Sequence, residues 1–536
     1  MGGLTGATYV IYLLNNTDFA VSQVGHQAVK KALLTMRFYC NQLTYPLAMS
    51  GRHPNGKGQL DPAQFARLAL AGYPDRSERI DLELASAYLR LVDLGHSYGV
   101  FLENKPNHKC FVAEFTSSGF LKEQTPNGTI TMPYGTSLIH RVADWSAVIR
   151  GHSRYLWAAE HYRGANLYGR YLAHGGLQIE LGGPKTWVEQ GFDWARVPGT
   201  TALRLPVDSL KAKVLNVDKF SGFEEMLYSD EAYAGGLTDG KNGVFAMKLH
   251  EHDKYNGSLR ARKSYHLFGN RIVAIGTGIE NNSSAYCTET TLFQLPVLTK
   301  EYEEYWMKYQ SNSKLWVDHL GTAYFIPHDV AKLSFENNEK QYSKFQNTGV
   351  ENQGHWVSLV LNHGKTPKAE SYEYLIIPYF RESNLSVDQP IYEVLQKDTQ
   401  AHIVHDIVSK TTSYAVFEKL IDFNSGIIQS VDTASLLMVS DFGNRQQLTV
   451  ANPDLALYRG PSDDIYDEQG KRVERSIYSR PWIGNKSKDI FMEVTLLGAW
   501  SFEEDANVML LVRDSKHTVL RFKCSETPSH KVCKLK

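Results

Sequence analysis

Apolar residues recur at helical spacing near the start of the chain and at strand spacing through most of the rest. From Val21 to Tyr39, VSQVGHQAVKKALLTMRFY sets Val24, Val29, Leu33 and Met36 roughly on one face, which predicts an amphipathic helix. A second helix is predicted in LDPAQFARLALAGYP, with Asp61 as N-cap, Pro62 at the first helical position, and Gly72 and Pro74 at its close. A third begins at Asp81 in DLELASAYLRLVDLGH. Helices joined by turns build hairpin arrays. Three of them behind a glycine-rich front end read as the tail of a larger helical domain.

After about Lys105 the pattern changes to short, β-branched and aromatic segments. GHWVSLVLNHG at 354–364, SYEYLIIPYF at 371–380 and DIFMEVTLLGAW at 489–500 are strand candidates, and PNGT at 126–129 and DGKNG at 239–243 are turn signals. About 400 residues of this kind imply large antiparallel sandwiches. RESNLSVDQPIYEVL interrupts the strands near residue 390. The fold class is therefore read as α+β and multidomain: helices at 1–122, a central antiparallel β-sandwich at 123–390 and a C-terminal β-sandwich at 391–536.

Composition changes this picture little. With 536 residues and 42% hydrophobic content the chain is globular. A net charge of -1 argues against bulk attraction to nucleic acid or an anionic membrane, so a polyanion would have to be held by local clusters. No apolar run reaches the roughly eighteen residues that would span a bilayer. The short run from Tyr9 to Leu14 lacks the flanks of a signal peptide. Aromatics at 12% suit β-sheets, and they also suit stacking on apolar sugar faces. Five cysteines make no disulfide framework. Cys40, Cys110 and Cys287 read as buried thiols, and Cys524 and Cys533, which flank SETPSHKV, as a pair able to close a terminal hairpin.

Three segments carry candidate chemistry. In SGRHPNGKG, Arg52, His53 and Lys57 occupy a Gly- and Pro-rich loop suited to an anionic ligand or simply to solvent. It lacks the spacing of a phosphate loop. RYLWAAEHY, 154–162, threads Glu160 through aromatic and small neighbours, and a buried carboxylate requires a partner or a site. Read as a strand, it puts Arg154, Leu156, Ala158, Glu160 and Tyr162 on one face and Trp157 and His161 on the other. NLYGRYLAHGG then adds Tyr168, Arg170, Tyr171 and His174, a density that a cross-strand ion-pair network would also explain. In HEHDKY, His250 and His252 share a strand face, but no third ligand is evident, so no metal site is assigned. Nucleophile elbow, zinc-protease and dinucleotide fingerprints are missing. A glycosidase would need two facing acids, and only Glu160 stands out.

GRHP at 51–54, LWAAEHY at 156–162, NLYGRYLAHGGLQI at 166–179, GFDWARVPGTT at 191–201, TETTLFQ at 288–294, and HGKTP with SYEYLI at 363–376 occur in that order. The series resembles the chondroitin sulfate ABC lyases of polysaccharide lyase family eight, relatives of hyaluronate and chondroitin AC lyases. The resemblance implies the C-terminal part of an incomplete helical toroid, followed by a galactose-mutarotase-like supersandwich and a further β-sandwich. It also implies β-elimination at a hexuronic acid of a glycosaminoglycan by a His–Tyr–Arg–Glu tetrad. Arg52 matches the family arginine and Glu160 the glutamate. His53, Lys57, Arg154, Trp157, Arg170 and His174 are the candidate substrate contacts. The expected histidine and tyrosine fall upstream of Met1, so the chain reads as truncated there, without signal peptide or most of the toroid. The resemblance further implies a secreted or periplasmic monomer with an acidic polysaccharide partner. It implies no nucleic acid or membrane partner and no required cofactor, calcium or magnesium acting as stimulants in some relatives. The alternative is a remnant that only binds acidic glycan through Arg52, Lys57, Arg154 and Trp157.

Overall fold

A computed structural model describes the chain except residues 1, 50–51, 54–58, 76, 98–101, 184, 301–313, 346–349, 382–389, 421–422, 424–425, 444, 503–506, 525–530 and 536. It opens with helices α1 (Gly2–Leu14), α2 (Gln23–Tyr39), α3 (Pro62–Ala71), α4 (Leu82–Ser97) and α5 (Pro106–Ser117). The Asp61 start signal acts as expected, accepting a hydrogen bond from the Ala63 N–H, and Ser22 caps α2 in the same way at the Gly25 N–H. Gly72 ends α3 at φ +60°, where a Cβ would lie 2.5 Å from the Glu78 carbonyl oxygen. Asp81 does two jobs. It caps α4 at the Leu84 N–H (3.1 Å) and takes Lys30 Nζ of α2 at 2.7 Å. Leu33, Phe65, Leu68, Leu84, Tyr88, Leu91 and Phe115 form the helical core, together with Ile139 and Val148 from the first sheet. Helical structure extends further than the pattern predicted. α1 covers Gly2–Leu14, and α5 lies beyond Lys105, where the residue pattern turns strand-like, though still within the helical region read at 1–122. Its sequence, PNHKCFVAEFTS, is rich in β-formers, but Pro106 suits the first helical position and α5 buries His108 and Phe115.

The central region begins with a four-stranded sheet: Gly128–Met132, Ser137–Val142, Trp145–Arg150 and Gly176–Glu180. A seven-stranded antiparallel sheet has at its centre Glu370–Ile377, Arg271–Glu280, Arg260–Phe268 and Gly243–His250. The four-stranded sheet opposite it joins Leu333–Phe345, Val350–Gly364, Thr288–Pro296 and Thr201–Leu203. Phe245, Tyr265, Ile272, Phe293, Leu359 and Tyr374 fill the space between these two sheets. The DGKNG turn joins strands paired in register from Thr238↔Gly243.

Two motifs that carried the family resemblance lock this sandwich. In GFDWARVPGTT, buried Arg196 reaches Glu289 of TETTLFQ through Nε (2.9 Å) and Nη2 (3.2 Å), and Glu336 through Nη2 at 2.7 Å. Gln294 accepts from the Asp193 N–H at 2.7 Å and donates to the carbonyls of Asp193 and Arg196.

The last region pairs a six-stranded sheet, which includes Ala401–Asp406, Thr411–Val416 and Ser435–Asp441, with a four-stranded one built around Ile490–Leu497 and His517–Cys524. It docks on the outer face of the seven-stranded sheet. Val244 and Ala246 meet Phe417, Leu436 and Met438, and Arg271 forms a bidentate pair with Asp406 at 2.9 Å. Of the three thiols read as buried, Cys40 is, Cys287 is half-buried and Cys110 is exposed on α5. Cys524 ends a strand of the four-stranded sheet. The side chain of Cys533, its expected disulfide partner, lies outside the described residues. No helix among the described residues is long and apolar enough to cross a membrane.

Candidate active site

RYLWAAEHY is not the strand its alternation predicted. Only His161–Tyr162 pairs as a strand, with Glu224–Glu225. Ahead of it, Ser153 closes a local turn: its Oγ accepts the Tyr155 N–H at 3.1 Å and its N–H donates to the Leu156 carbonyl at 2.9 Å. The segment is instead pinned from outside. The Arg154 N–H reaches Glu231 O (2.8 Å) and the Ala158 N–H reaches Leu227 O (2.9 Å). Trp157 therefore does not share a face with His161. It packs edge-on against Tyr228 in a cluster with Tyr155, Met226, Leu455 and Trp482. Leu455 and Trp482 belong to the C-terminal region, whose connection between Ala451 and Ile490 folds back over the segment.

At the end of this pinned segment, Arg52 Nη1 donates to Glu160 Oε1 at 2.7 Å. The side chains keep 41% and 33% exposure, so the pair faces solvent. Its supports are built in. The Arg52 carbonyl accepts from the Asn166 N–H at 3.1 Å, and the guanidinium lies over the Tyr162 ring, 4.9 Å from its centroid. Burial, then the Glu160 carboxylate, pushes the Tyr162 phenol up, so it stays protonated at neutral pH. Behind the pair, His161 Nδ1 stands 3.5 Å from Glu225 Oε1. Tyr255 donates to Glu225 Oε2 at 2.7 Å and Lys254 Nζ lies at the same distance. Burial opposes the charge on Glu225, but His161 and Lys254 outweigh it and hold the carboxyl at about 2. An exposed cation, a carboxylate that orients it and a neutral phenol beneath it make a site suited to an anionic ligand whose charge grows during reaction.

Residues 134–389 match the family described as "Polysaccharide lyase family 8, super-sandwich domain", and residues 1–97 match that described as "Lyase, catalytic". This chain belongs to polysaccharide lyase family 8. It is 50% identical to the chondroitin sulfate ABC exolyase of Bacteroides thetaiotaomicron, over 99% of this chain and 54% of that protein. It is 35% identical to the chondroitin sulfate ABC exolyase of Proteus vulgaris, over 93% of this chain and 49% of that protein. The chain thus spans about half the length of these relatives. The fold is shared with the chondroitin AC lyase of Streptomyces coelicolor A3 in complex with chondroitin sulphate. There the TM-score is 0.73 at 16% identity, over 99% of this chain and 68% of that one.

The other expected contacts of this family 8 chain scatter. His53 is half-buried beside Arg52, and Lys57 lies outside the described residues. Arg154 faces the Trp482 ring at 5.5 Å and Asp463 at 4.0 Å, within the C-terminal connection. Arg170 and His174, expected at a substrate surface, are buried instead. Arg170 stacks 3.7 Å over Tyr255 and donates to Ser209 O at 2.9 Å, while burial holds the His174 imidazole neutral. Both line a small internal cavity of about 20 Å³ behind Ala158 and Ala159, with His152, His161, Glu225 and Glu251. His250 and His252 have protein partners. His250 meets Asp230 at 2.5 Å and Gly257 O at 2.7 Å, and His252 Nδ1 accepts the Lys254 N–H at 3.0 Å. Tyr162 was read on the Glu160 face, but Glu224 and Glu225 were missed because a two-residue ladder leaves no periodic signal.

Glu251 makes the cavity pH-dependent. It is buried, neither carboxyl oxygen has a hydrogen-bond partner among the described residues, and burial, opposed by Arg170, pushes it up to about 7. The folded chain then keeps a proton that the unfolded chain releases above 4.5, so stability falls as pH rises from 4.5 to 7 and stays reduced above it. The displacement corresponds to about 3 kcal/mol. Glu251→Gln should therefore raise the melting temperature at pH 8 and change it little at pH 4, as read by thermal unfolding at both.

Proposed function

We propose that this chain supplies the arginine–glutamate half of a lyase site. That lyase cleaves uronic-acid-containing glycosaminoglycans of the chondroitin and dermatan sulfate type by β-elimination, yielding unsaturated oligosaccharides. The observation that carries the reading is the solvent-facing Arg52–Glu160 pair, 2.7 Å apart, in a chain 50% identical to a chondroitin sulfate ABC exolyase. The chemistry needs such a pair. The C5 proton of a uronate is weakly acidic. Its removal leaves an electron pair that forms the C4=C5 bond as the C4–O bond breaks, and the leaving oxygen takes up a proton. Negative charge grows on the uronate side during this step. A guanidinium offering fixed donors stabilises that charge, and a carboxylate holding the guanidinium avoids reorganisation at the moment of reaction. Tyr162, kept protonated, is suited to donate a hydrogen bond and not to abstract the C5 proton. In the family the proton transfers belong to the histidine and tyrosine of the tetrad. The relatives named above are bacterial, and so large a polyanion is met outside the cytoplasm, so we assign the activity to the periplasm or beyond.

A second reading is binding of the same polymer without cleavage, and it is favoured by the solvent-facing guanidinium of Arg52, held over the Tyr162 ring where an anionic sugar can meet it. Incubation with chondroitin sulfate separates the two. Rising ultraviolet absorbance from unsaturated uronide supports the lyase. Retention on immobilised chondroitin sulfate without that absorbance supports binding alone. Neither turnover nor retention overturns both.

A further inference from the structure

Two loops meet beside the Arg52–Glu160 pair, one from each β region, and they carry large aromatic rings that stay about half exposed. Asp218 joins them. Its Oδ1 accepts the N–H groups of Phe220 (2.8 Å) and Ser221 (3.1 Å), and its Oδ2 accepts the Ser476 N–H at 3.0 Å. Ser476 in turn caps the single turn Ile477–Ser479 at the Tyr478 N–H, 3.2 Å away. That turn buries Ile477 and leaves Tyr478 57% exposed. On the partner loop Phe220 is 53% and Phe223 47% exposed, although the next residue, Glu224, is buried against Tyr162. The backbones are tied down while the rings face water. Glu224, the residue after Phe223, pairs with Tyr162, the ring beneath Arg52, which places this lip next to the pair. The lip also carries cations. The Arg163 guanidinium sits 3.8 Å over the Phe223 ring, Lys219 lies 4.9 Å over Phe220, and neither has a carboxylate partner among the described residues.

We propose that Tyr478, Phe220 and Phe223, with Arg163 and Lys219, form a subsite where the acidic polysaccharide continues from the Arg52–Glu160 pair onto the C-terminal domain. The inference rests on the lyase or glycan-binding reading above and adds where the polymer runs. Rings held on fixed backbones stack on the apolar faces of sugars at small entropic cost, and a cluster of exposed large rings marks a contact site. Guanidinium and ammonium groups beside them pair with carboxylate or sulfate groups on the same sugars. The Asp218 carboxylate is already engaged by three backbone N–H groups, which hold its charge within the loops.

The test is calorimetric binding of size-defined chondroitin sulfate oligosaccharides at low salt, with thermal unfolding as a check on the fold. Wild type should bind a decasaccharide more tightly than a tetrasaccharide. Phe223→Ala with Tyr478→Ala should weaken decasaccharide binding about tenfold or more and tetrasaccharide binding much less. If that double variant does not fold, Arg163→Gln alone should weaken the decasaccharide about threefold to tenfold, while Tyr478→Phe keeps wild-type affinity. Decasaccharide affinity within about twofold of wild type in the double variant, or in Arg163→Gln when that variant is used, overturns the subsite and leaves the Arg52–Glu160 reading standing. Wild type that binds neither oligosaccharide overturns both.

Discussion

In the lyase whose site this chain half supplies, Arg52→Ala is expected to slow the release of unsaturated uronide from chondroitin sulfate by about 10²–10³-fold, measured as the initial rise of ultraviolet absorbance. The melting temperature should hardly move. The pair keeps 41% and 33% side-chain exposure, and an ion pair that open to water contributes at most about 1 kcal/mol to stability. The two readouts separate because the guanidinium is placed for charge that appears during elimination. Arg52→Lys should recover little of the rate. A lysine keeps the charge but loses the planar fork that holds Glu160 on one edge and offers donors on the other. A loss of rate matched by an equal loss of folded protein would assign Arg52 a structural role instead.

The largest effect on stability belongs to Arg196→Met. Arg196 is buried between Glu289 and Glu336, with contacts of 2.9 Å and 2.7 Å, and the pairing raises its affinity for the proton further despite burial. Removing the cation leaves two carboxylates facing one another, Glu289 almost wholly out of water. Breaking one side of such a buried pair costs about 3–5 kcal/mol. The unfolding midpoint should fall accordingly in urea. Arg196→Met combined with Glu289→Leu should recover part of the loss, because the stranded charge goes with its partner. Equal midpoints for wild type and Arg196→Met would show that the motif does not lock the sandwich.

Helix starts, strand runs and the hairpin at 239–243 were legible in the sequence because caps, alternation and turn residues act locally. Asp61 caps α3 and Asp81 caps α4, and 354–364 lies within the strand Val350–Gly364. α5 was not legible, since its β-forming composition yields to packing against Tyr88. Of the site, Arg52 and Glu160 are 108 residues apart, and no local pattern joins them; the family motifs named both. Polar density around residues 166–174 looked like a surface. Burial of Arg170 and His174 depends on partners far along the chain, the Tyr255 ring and the carbonyl of Ser209, which no spacing rule encodes. Tyr478 lies 316 residues beyond Tyr162, and only the folded chain ties its turn to the Phe220 loop, through the Ser476 N–H and Asp218.

The central claim is that Arg52 and Glu160 work as one unit on the acidic glycan. A double-mutant cycle on uronide release, with Arg52→Ala, Glu160→Gln and both together, tests it most directly. If they form a unit, the double variant loses no more rate than the worse single variant. Losses that multiply, or a Glu160→Gln rate equal to wild type, would contradict it.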